Sequence, residues 1–264
     1  MIINTQTIKK SGGGRGTYQV EAGFLSGYNE LIRPSLHTPA GTVTIISNNP
    51  ADFTKIDYLK FTKGSVSGNV QEGQYINTGI VINSTDKVEA EASVDDVNDN
   101  KAIWSARITI SGTMQRNFTV FSLSAGTRWD YDSTQYSATQ INANQKYKFT
   151  IDANKAYLDD TLIKTFNSAT FNTGNSALIG ASWNSDNTTP GNLLSGKMYD
   201  WKCWNSGGTA RGLFYTCYHT ETGILGMFDA VNNNFHMNAG TGNFAKPTDT
   251  SNEINLAEYL ASLT

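Results

Sequence analysis

The chemistry available to this 264-residue chain lies in a few acids, three histidines and two cysteines. Glycoside hydrolysis needs two carboxylates facing each other across a cleft, roughly 5–9 Å apart. Glu89 and Glu91 have the i, i+2 spacing that puts both on one face of a strand, but the following "ASVDD" supplies no third acid on that face. Asp130 and Asp132 in "RWDYDS" form a second pair beside Trp129. A tryptophan among acids stacks on a sugar or fills a core, so the pair is a site candidate and not a diagnosis. Asp159 and Asp160 are adjacent, and here the turn reading is preferred, because an aspartate side chain bonds nearby backbone in tight turns.

Other chemistries are weaker. Asp96, Asn98 and Asn100 alternate like the start of a calcium-binding loop, yet Lys101 stands where glycine is required and Arg107 where the closing glutamate should be. The EF-hand reading fails, and a looser calcium site has no motif to support it. His37, His219 and His236 sit in polar strand or turn contexts, and no GxSxG elbow accompanies them. Cys203 and Cys217 lie without a CxxC pattern, and two buried free thiols are favoured over a disulfide. No metal, cofactor or catalytic residue is assigned.

The elements that must position these groups are strands. "VEAEASV" (Val88 to Val94), "IWSARITI" (Ile103 to Ile110), "FTVFSLS" (Phe118 to Ser124) and "YKFTID" (Tyr147 to Asp152) alternate apolar and polar residues, as half-buried strands do. The stretch from Tyr147 to Phe166 reads as three strands joined by "DANK" and "DD" turns. Short Asn, Asp, Gly and Ser clusters separate the strands throughout, which predicts a β-sandwich or jelly roll. Residues 1–51 differ: "SGGGRGTYQ" and "RPSLHTPAG" read as extended connections, and only "TVTIIS" (Thr42 to Ser47) as a strand. This predicts an arm that attaches to something else. Residues 247–264 hold the helical candidate, "NEINLAEYLASLT". Asn252 or Ser251 is its expected cap, and Ile254, Leu256 or Ala257, Leu260 and Leu263 its expected apolar stripe.

The net charge of −3 and the absence of a basic block argue against a nucleic-acid partner. The N-terminus lacks an apolar region of the kind a signal peptide carries, and no apolar run is long enough to span a bilayer.

"GMFDAVNNNFHMNAGTGNF" (Gly226 to Phe244) raises the choice between a binding loop, a catalytic site and a structural signature. "GMFD" reads as a strand, "AVNNN" as a turn that uses the tolerance of Asn for positive φ, "FHM" as the returning strand, and "NAGTG" as a glycine-permitted loop. Phe228, Val231, Phe235 and Phe244 are its expected apolar anchors, so the stretch is read as structural.

"IDYLKFTKGSVSGNVQEGQYINTGI" (Ile56 to Ile80) resembles the opening of concanavalin A-like, laminin G-like jelly rolls in bacteriophage and prophage structural proteins. The match is carried by Tyr58, Leu59 and the run Gln74, Tyr75, Ile76, Asn77, Thr78, Gly79. The Asp159–Asp160 hairpin resembles the family's "L-Y-[IV]-[DN]-G" turn, with Asp160 where glycine is usual. "LIGASWN" and "GKMYDWKCW" resemble its late strands. Gly226, Phe228, Asp229, Val231, Asn232, Phe235, Asn238, Ala239, Gly240, Thr241, Gly242 and Phe244 follow its closing pattern. The resemblance spans residues 52–246. It implies an all-β, concanavalin A-like two-sheet jelly-roll sandwich, here with an extended N-terminal arm and a short C-terminal helix.

By the same resemblance the chain is expected to be a non-enzymatic virion component: a head fibre, decoration or tail-associated protein. It would be a homo-oligomer, with a trimer favoured, held to other virion proteins by its arm and presenting a lectin-like domain to host-surface glycan. Three alternatives stand beside this. A glycan-active hydrolase of the glucanase type is weakened by the missing "E-x-D-x-x-E" motif. A secreted or surface carbohydrate-binding module is the second, and a purely structural module with no ligand the third. If glycan is bound, the expected contacts are Trp129, Asp130 and Tyr131, with Trp183, Asn184 and Asp186, read as tryptophans exposed among polar loop residues.

Overall fold

Alternation in the sequence becomes antiparallel sheet in the structure. The computed structural model describes residues 9–10, 17–19, 42–44, 46–67, 70–97, 100–111, 114–123, 126–138 and 141–263, with only the backbone of residues 9–10, 17–19, 42–44, 64–67, 70–71 and 114. The chain divides into two units, Met1–Asn49 and Pro50–Thr264. In the first, β1 (Lys9–Lys10), β2 (Thr17–Gln19) and β3 (Thr42–Thr44) form a three-stranded antiparallel sheet. The first two strands were not anticipated, since their sequence lacks apolar periodicity. Of the rest of the expected arm, residues 46–51 are described and lead into a short 3-10 turn at Pro50–Asp52, while the others, His37 among them, lie outside the described residues.

The second unit opens with β4 (Phe53–Lys55), β5 (Leu59–Phe61), β6 (Lys63–Ser67), β7 (Val70–Gly73) and β8 (Ile76–Asn83). The long strands follow: β9 (Lys87–Val94), β10 (Lys101–Ser111), β11 (Met114–Leu123) and β12 (Gly126–Asp132). Next come β13 (Thr134–Ala138), β14 (Tyr147–Asp152), β15 (Lys155–Leu158), β16 (Thr161–Thr165) and β17 (Asn172–Ile179). The unit ends with β18 (Ser182–Trp183), β19 (Pro190–Gly191), β20 (Gly196–Trp204), β21 (Ala210–His219), β22 (Leu225–Asp229), β23 (Asn234–Met237), β24 (Ile254–Asn255) and α1 (Leu256–Ala261).

Two sheets make the sandwich. The smaller has the order β13-β12-β11-β10-β17-β8; the larger runs β16-β15-β14-β9-β20-β21-β22-β23, with β4, β5 and β24 added beside β20 and β21. On β9, Val88, Ala90, Ala92 and Val94 face inward while Lys87, Glu89 and Glu91 face out, as the period of two requires. Trp104, Phe118, Val120, Trp129 and Tyr131 line the smaller sheet's inner face, opposite Phe149, Ile151, Trp201 and Phe214 of the larger. The Trp129 and Phe149 rings meet across the layers at 6.0 Å. The fold is the two-sheet jelly-roll sandwich that the strand pattern predicts.

The hairpin turns behave as their residues dictate. Asp159 and Asp160 both have positive φ, 47° and 63°, and the Asp159 carboxylate accepts the Lys148 N–H at 2.7 Å. They are turn residues, not a catalytic pair. The stretch Gly226 to Phe244 is a hairpin and return loop, tied to the loop before β8. Asn238 Oδ1 accepts the Tyr75 and Gly240 N–H groups at 3.1 and 2.8 Å, and its Nδ2 donates to the Gly242 carbonyl at 2.8 Å. Thr241 and Gly73 exchange backbone and hydroxyl bonds at 2.8 and 2.9 Å. A Cβ on Gly240 would stand 2.0 Å from the Gly73 carbonyl oxygen, so only glycine closes this knot. Phe228, Phe235 and Phe244 are buried, but Val231 is exposed, because it sits on the turn and not on either strand.

The C-terminal segment departs from expectation. Ile254 is not helical: it pairs with Lys55 in β24, and the helix begins only at Leu256. Its cap is Asn255, whose side chain accepts the Ala257 and Glu258 N–H groups, while Asn252 donates to Asp57 at 2.9 Å. Of the expected stripe only Leu256 is fully buried, and Ile254 and Leu263 are exposed. A helix of six residues presents little more than one turn to the sheet, so one anchor suffices.

Candidate functional site

A cleft of about 510 Å³ opens on the outer face of the larger sheet, lined by Lys55, Asp57, Tyr58, Glu91, Lys146, Tyr199, Asp200, Tyr215 and Tyr259. Its floor comes from a β-bulge. Met198 pairs with Ala92 and Asp200 with Glu91, so β20 carries one extra residue at this point. A bulge turns two consecutive side chains to the same side. Tyr199 and Asp200 therefore both point outward beside Glu91, while Met198 and Trp201 stay in the core. Tyr215 comes from the neighbouring β21 strand, Lys55 from the end of β4, and Tyr259 from the capped C-terminal helix.

The tyrosines stand in two edge-on pairs: Tyr58 with Tyr199 at 5.8 Å, and Tyr215 with Tyr259 at 5.4 Å. Lysine ammonium groups cap ring faces at the rim, Lys146 over Tyr199 at 4.5 Å and Lys197 over Tyr58 at 4.4 Å. Each floor carboxylate has a cation. Lys146 pairs with Glu91 at 2.5 Å and Lys202 with Asp200 at 2.7 Å. Burial pushes the Asp200 carboxyl up, against the pull of Lys202. Its Oδ1 is buried without a well-formed hydrogen bond, receiving only partial relief from the Glu91 backbone. Burial also lowers Lys55 and raises Tyr215 and Tyr259, which keeps both phenols protonated as donors at neutral pH. The cleft thus offers hydroxyl and ammonium donors, carboxylate acceptors and aromatic edges in a small volume.

The residues expected from sequence fall elsewhere. Trp129, Asp130 and Tyr131 lie on β12, not on a loop, and all three are buried. Trp129 and Tyr131 point into the core, where the Tyr131 hydroxyl donates to the Ser84 carbonyl at 3.1 Å. The expectation of an exposed tryptophan here is corrected by simple alternation: if Asp130 faces out, its neighbours face in. Trp183 is half-buried, its Nε1 donating to the Ser176 carbonyl at 2.8 Å, and it packs on Leu178, Ala181 and Leu193. The Asn184 N–H donates to the Thr189 carbonyl at 2.8 Å. Asp186 accepts from Thr188 and Thr189 at 2.9 and 2.8 Å, and hydrogen bonds from Thr189 and Thr188 hold its carboxyl down to about 2. These groups stabilise their own loop, and only Asp186 is wholly open to solvent.

Asp130 is different. It faces outward from the smaller sheet in a row with Ser105 and Thr119, whose hydroxyls share a 3.0 Å bond. Arg128 Nε approaches Asp130 Oδ1 at 3.1 Å, without good hydrogen-bond alignment. Burial pushes the Asp130 carboxyl up to about 6, although the charges of Arg128 and Arg107 oppose this.

The other acid pairs carry cations beside them. Glu89 is bridged by Lys87 at 3.5 Å, and Asp132 by Arg116 at 2.6 Å. Cys203 and Cys217 are buried free thiols, and burial pushes Cys203 up to about 12. His219 bonds Thr222 at 3.1 Å, and His236 lies 3.0 Å from the Asn77 carbonyl oxygen. Among the described residues no group of three or more His, Cys, Asp or Glu could hold a metal ion, and no helix is long and apolar enough to cross a membrane.

Sequence reasoning missed the tyrosine cleft because its residues are spread from Lys55 to Tyr259. One signal was present. In "KMYDWK" the core residues Met198 and Trp201 are three apart, which breaks strict alternation and marks a bulge.

No family model matches the chain, and no curated protein does. Among solved structures the chain is similar to a candidate carbohydrate-binding protein from Bacteroides ovatus, at 16% identity and a TM-score of 0.46, over 74% of this chain. The chain spans 61% of that neighbour's length. A likeness of this degree bears on neither ligand nor function.

Proposed function

We propose that the protein is a non-enzymatic glycan-binding module, and that the tyrosine cleft on the larger sheet is its saccharide site. The observation that carries this reading is the cleft's composition: four tyrosines around a floor of carboxylates already paired with lysines. Sugars present C–H faces to aromatic rings and hydroxyls to both donors and acceptors, and aromatic anchors commonly dominate the energy of such contacts. Acids held in ion pairs favour binding over proton transfer. The resemblance of residues 56–80 and 226–244 to phage jelly rolls supports the finer proposal, a virion component that is oligomeric and displays this module toward a host surface.

The test is a glycan array with the full chain, repeated on Tyr58→Ala and Tyr199→Ala. Loss of a single aromatic contact should weaken binding about tenfold, with an unchanged melting curve. Undiminished binding in both variants would remove the cleft from the proposal. Asp200 and Glu91 lie side by side, so release of reducing ends that disappears in Asp200→Asn would replace it with a hydrolase.

A further inference from the structure

On the outer face of the smaller sheet, Arg107 and Arg128 stand on opposite sides of the Ser105–Thr119–Asp130 row, two residues along the strands in each direction. Two guanidiniums lie near one carboxylate, and only Arg128 is within ion-pair distance of it. Arg128 lies 4.1 Å over the Phe121 ring and has Asp130 as its ion partner. Among the described residues the Arg107 guanidinium makes no hydrogen bond and no ion pair, and its Nε is sealed from solvent. Burial pushes it down from the usual guanidinium range, the Asp130 charge opposes this, and Arg128 adds to it. The other acid on this face, Asp132, is already taken by Arg116. The remaining neighbours, Asn117, Thr119 and Gln135, carry no charge.

A half-buried guanidinium whose donors lack an acceptor is costly, and an anionic ligand would supply that acceptor. We propose that Arg107 and Arg128 form a receptor for the anionic group of an acidic saccharide, a carboxylate or a sulfate ester, on the face opposite the tyrosine cleft. The planar fork of each guanidinium matches the paired oxygens of such a group. Asp130 between them holds the two forks apart, and Ser105 and Thr119 give the row a polar floor. The inference does not rest on the tyrosine cleft.

The test titrates the full chain with polygalacturonate, dextran sulfate and uncharged dextran at physiological ionic strength, for wild type, Arg107→Gln and Arg107→Lys. Wild type should bind at least one of the two polyanions more tightly than dextran, and which one is bound names the anion. Arg107→Gln should weaken that binding tenfold or more, with Arg107→Lys intermediate. The melting temperature of Arg107→Gln should stay level or rise, since an uncompensated charge has been removed; a purely structural arginine would lower it. Wild-type binding of neither polyanion, or equal binding by Arg107→Gln, would overturn the proposal. Tyr199→Ala in the same titrations separates the two sites: it should leave polyanion binding intact whether or not the cleft binds sugar.

Discussion

Asp229 and Asp130 are both buried aspartates on strands of this sandwich, and the protein treats them in opposite ways. Asp229, in the stretch Gly226 to Phe244, accepts the Leu213 and Val231 N–H groups at 3.1 and 3.0 Å and the Asn232 side chain at 2.6 Å. It is saturated by two donors from its own turn and one from the neighbouring strand β21. Asp130 has an oxygen without a well-formed hydrogen bond, and among the described residues its counter-charges are two arginines whose Nε groups also lack a well-formed hydrogen bond. The first arrangement is that of a structural knot. The second leaves bonding capacity unspent, which is what a ligand site requires. Burial alone does not separate structure from function; the state of the hydrogen bonds does.

The largest effect should come from the knot. Phe235 packs at 4.7 Å on Phe53, and Phe235→Ala should cost about 3–5 kcal/mol, read as a lower midpoint in urea. A variant that keeps its midpoint but loses a ligand would reverse the assignment of this stretch. Asp229→Ala should follow at about 2–4 kcal/mol, because three donors lose their acceptor at once. If it costs less than Asp130→Ala, the contrast drawn above fails.

Asp130 itself should show in pH dependence. Its folded carboxyl titrates at about 6, above the ordinary value of an unfolded aspartate. At pH below the unfolded value both states are protonated and its stabilising contribution is complete. As pH rises through about 6 the folded state must carry a buried charge, and that contribution is lost. Stability attributable to this group should therefore fall by about 1–3 kcal/mol between pH 4 and pH 7. Asp130→Asn should abolish that slope in a series of melting curves, and an identical slope in both proteins would show that Asp130 is not its source.

The smallest expected effect concerns the cysteines. Both are buried with raised thiols, so a thiol reagent at neutral pH should label neither in the folded protein and both in denaturant. Rapid labelling of Cys217 in the native state would mean that the strands around it open locally.

Much of this architecture was legible without coordinates. Alternation in "VEAEASV" and "YKFTID" gave the strands and which residues face inward, and the paired aspartates at 159 and 160 gave their turn, because both depend only on neighbours in the chain. Asn233 in "AVNNN" and Gly242 in "NAGTG" take the positive φ that their residue types allow, for the same reason. The helix was placed correctly in kind but three residues early, since Ile254 is drawn into β24 by a strand that lies some two hundred residues away in sequence.

The sites were another matter. The tyrosine cleft exists because a one-residue bulge at Tyr199 sets two side chains beside Glu91, and because the C-terminal helix returns to bring Tyr259 over β21. The arginine pair exists because the β10-β11-β12 register places residues 107 and 128 on either side of one aspartate. Local sequence fixed which side chains face outward. Only the pairing of distant strands decided which of them meet, because register is set by the closing of the whole core and not by any single segment.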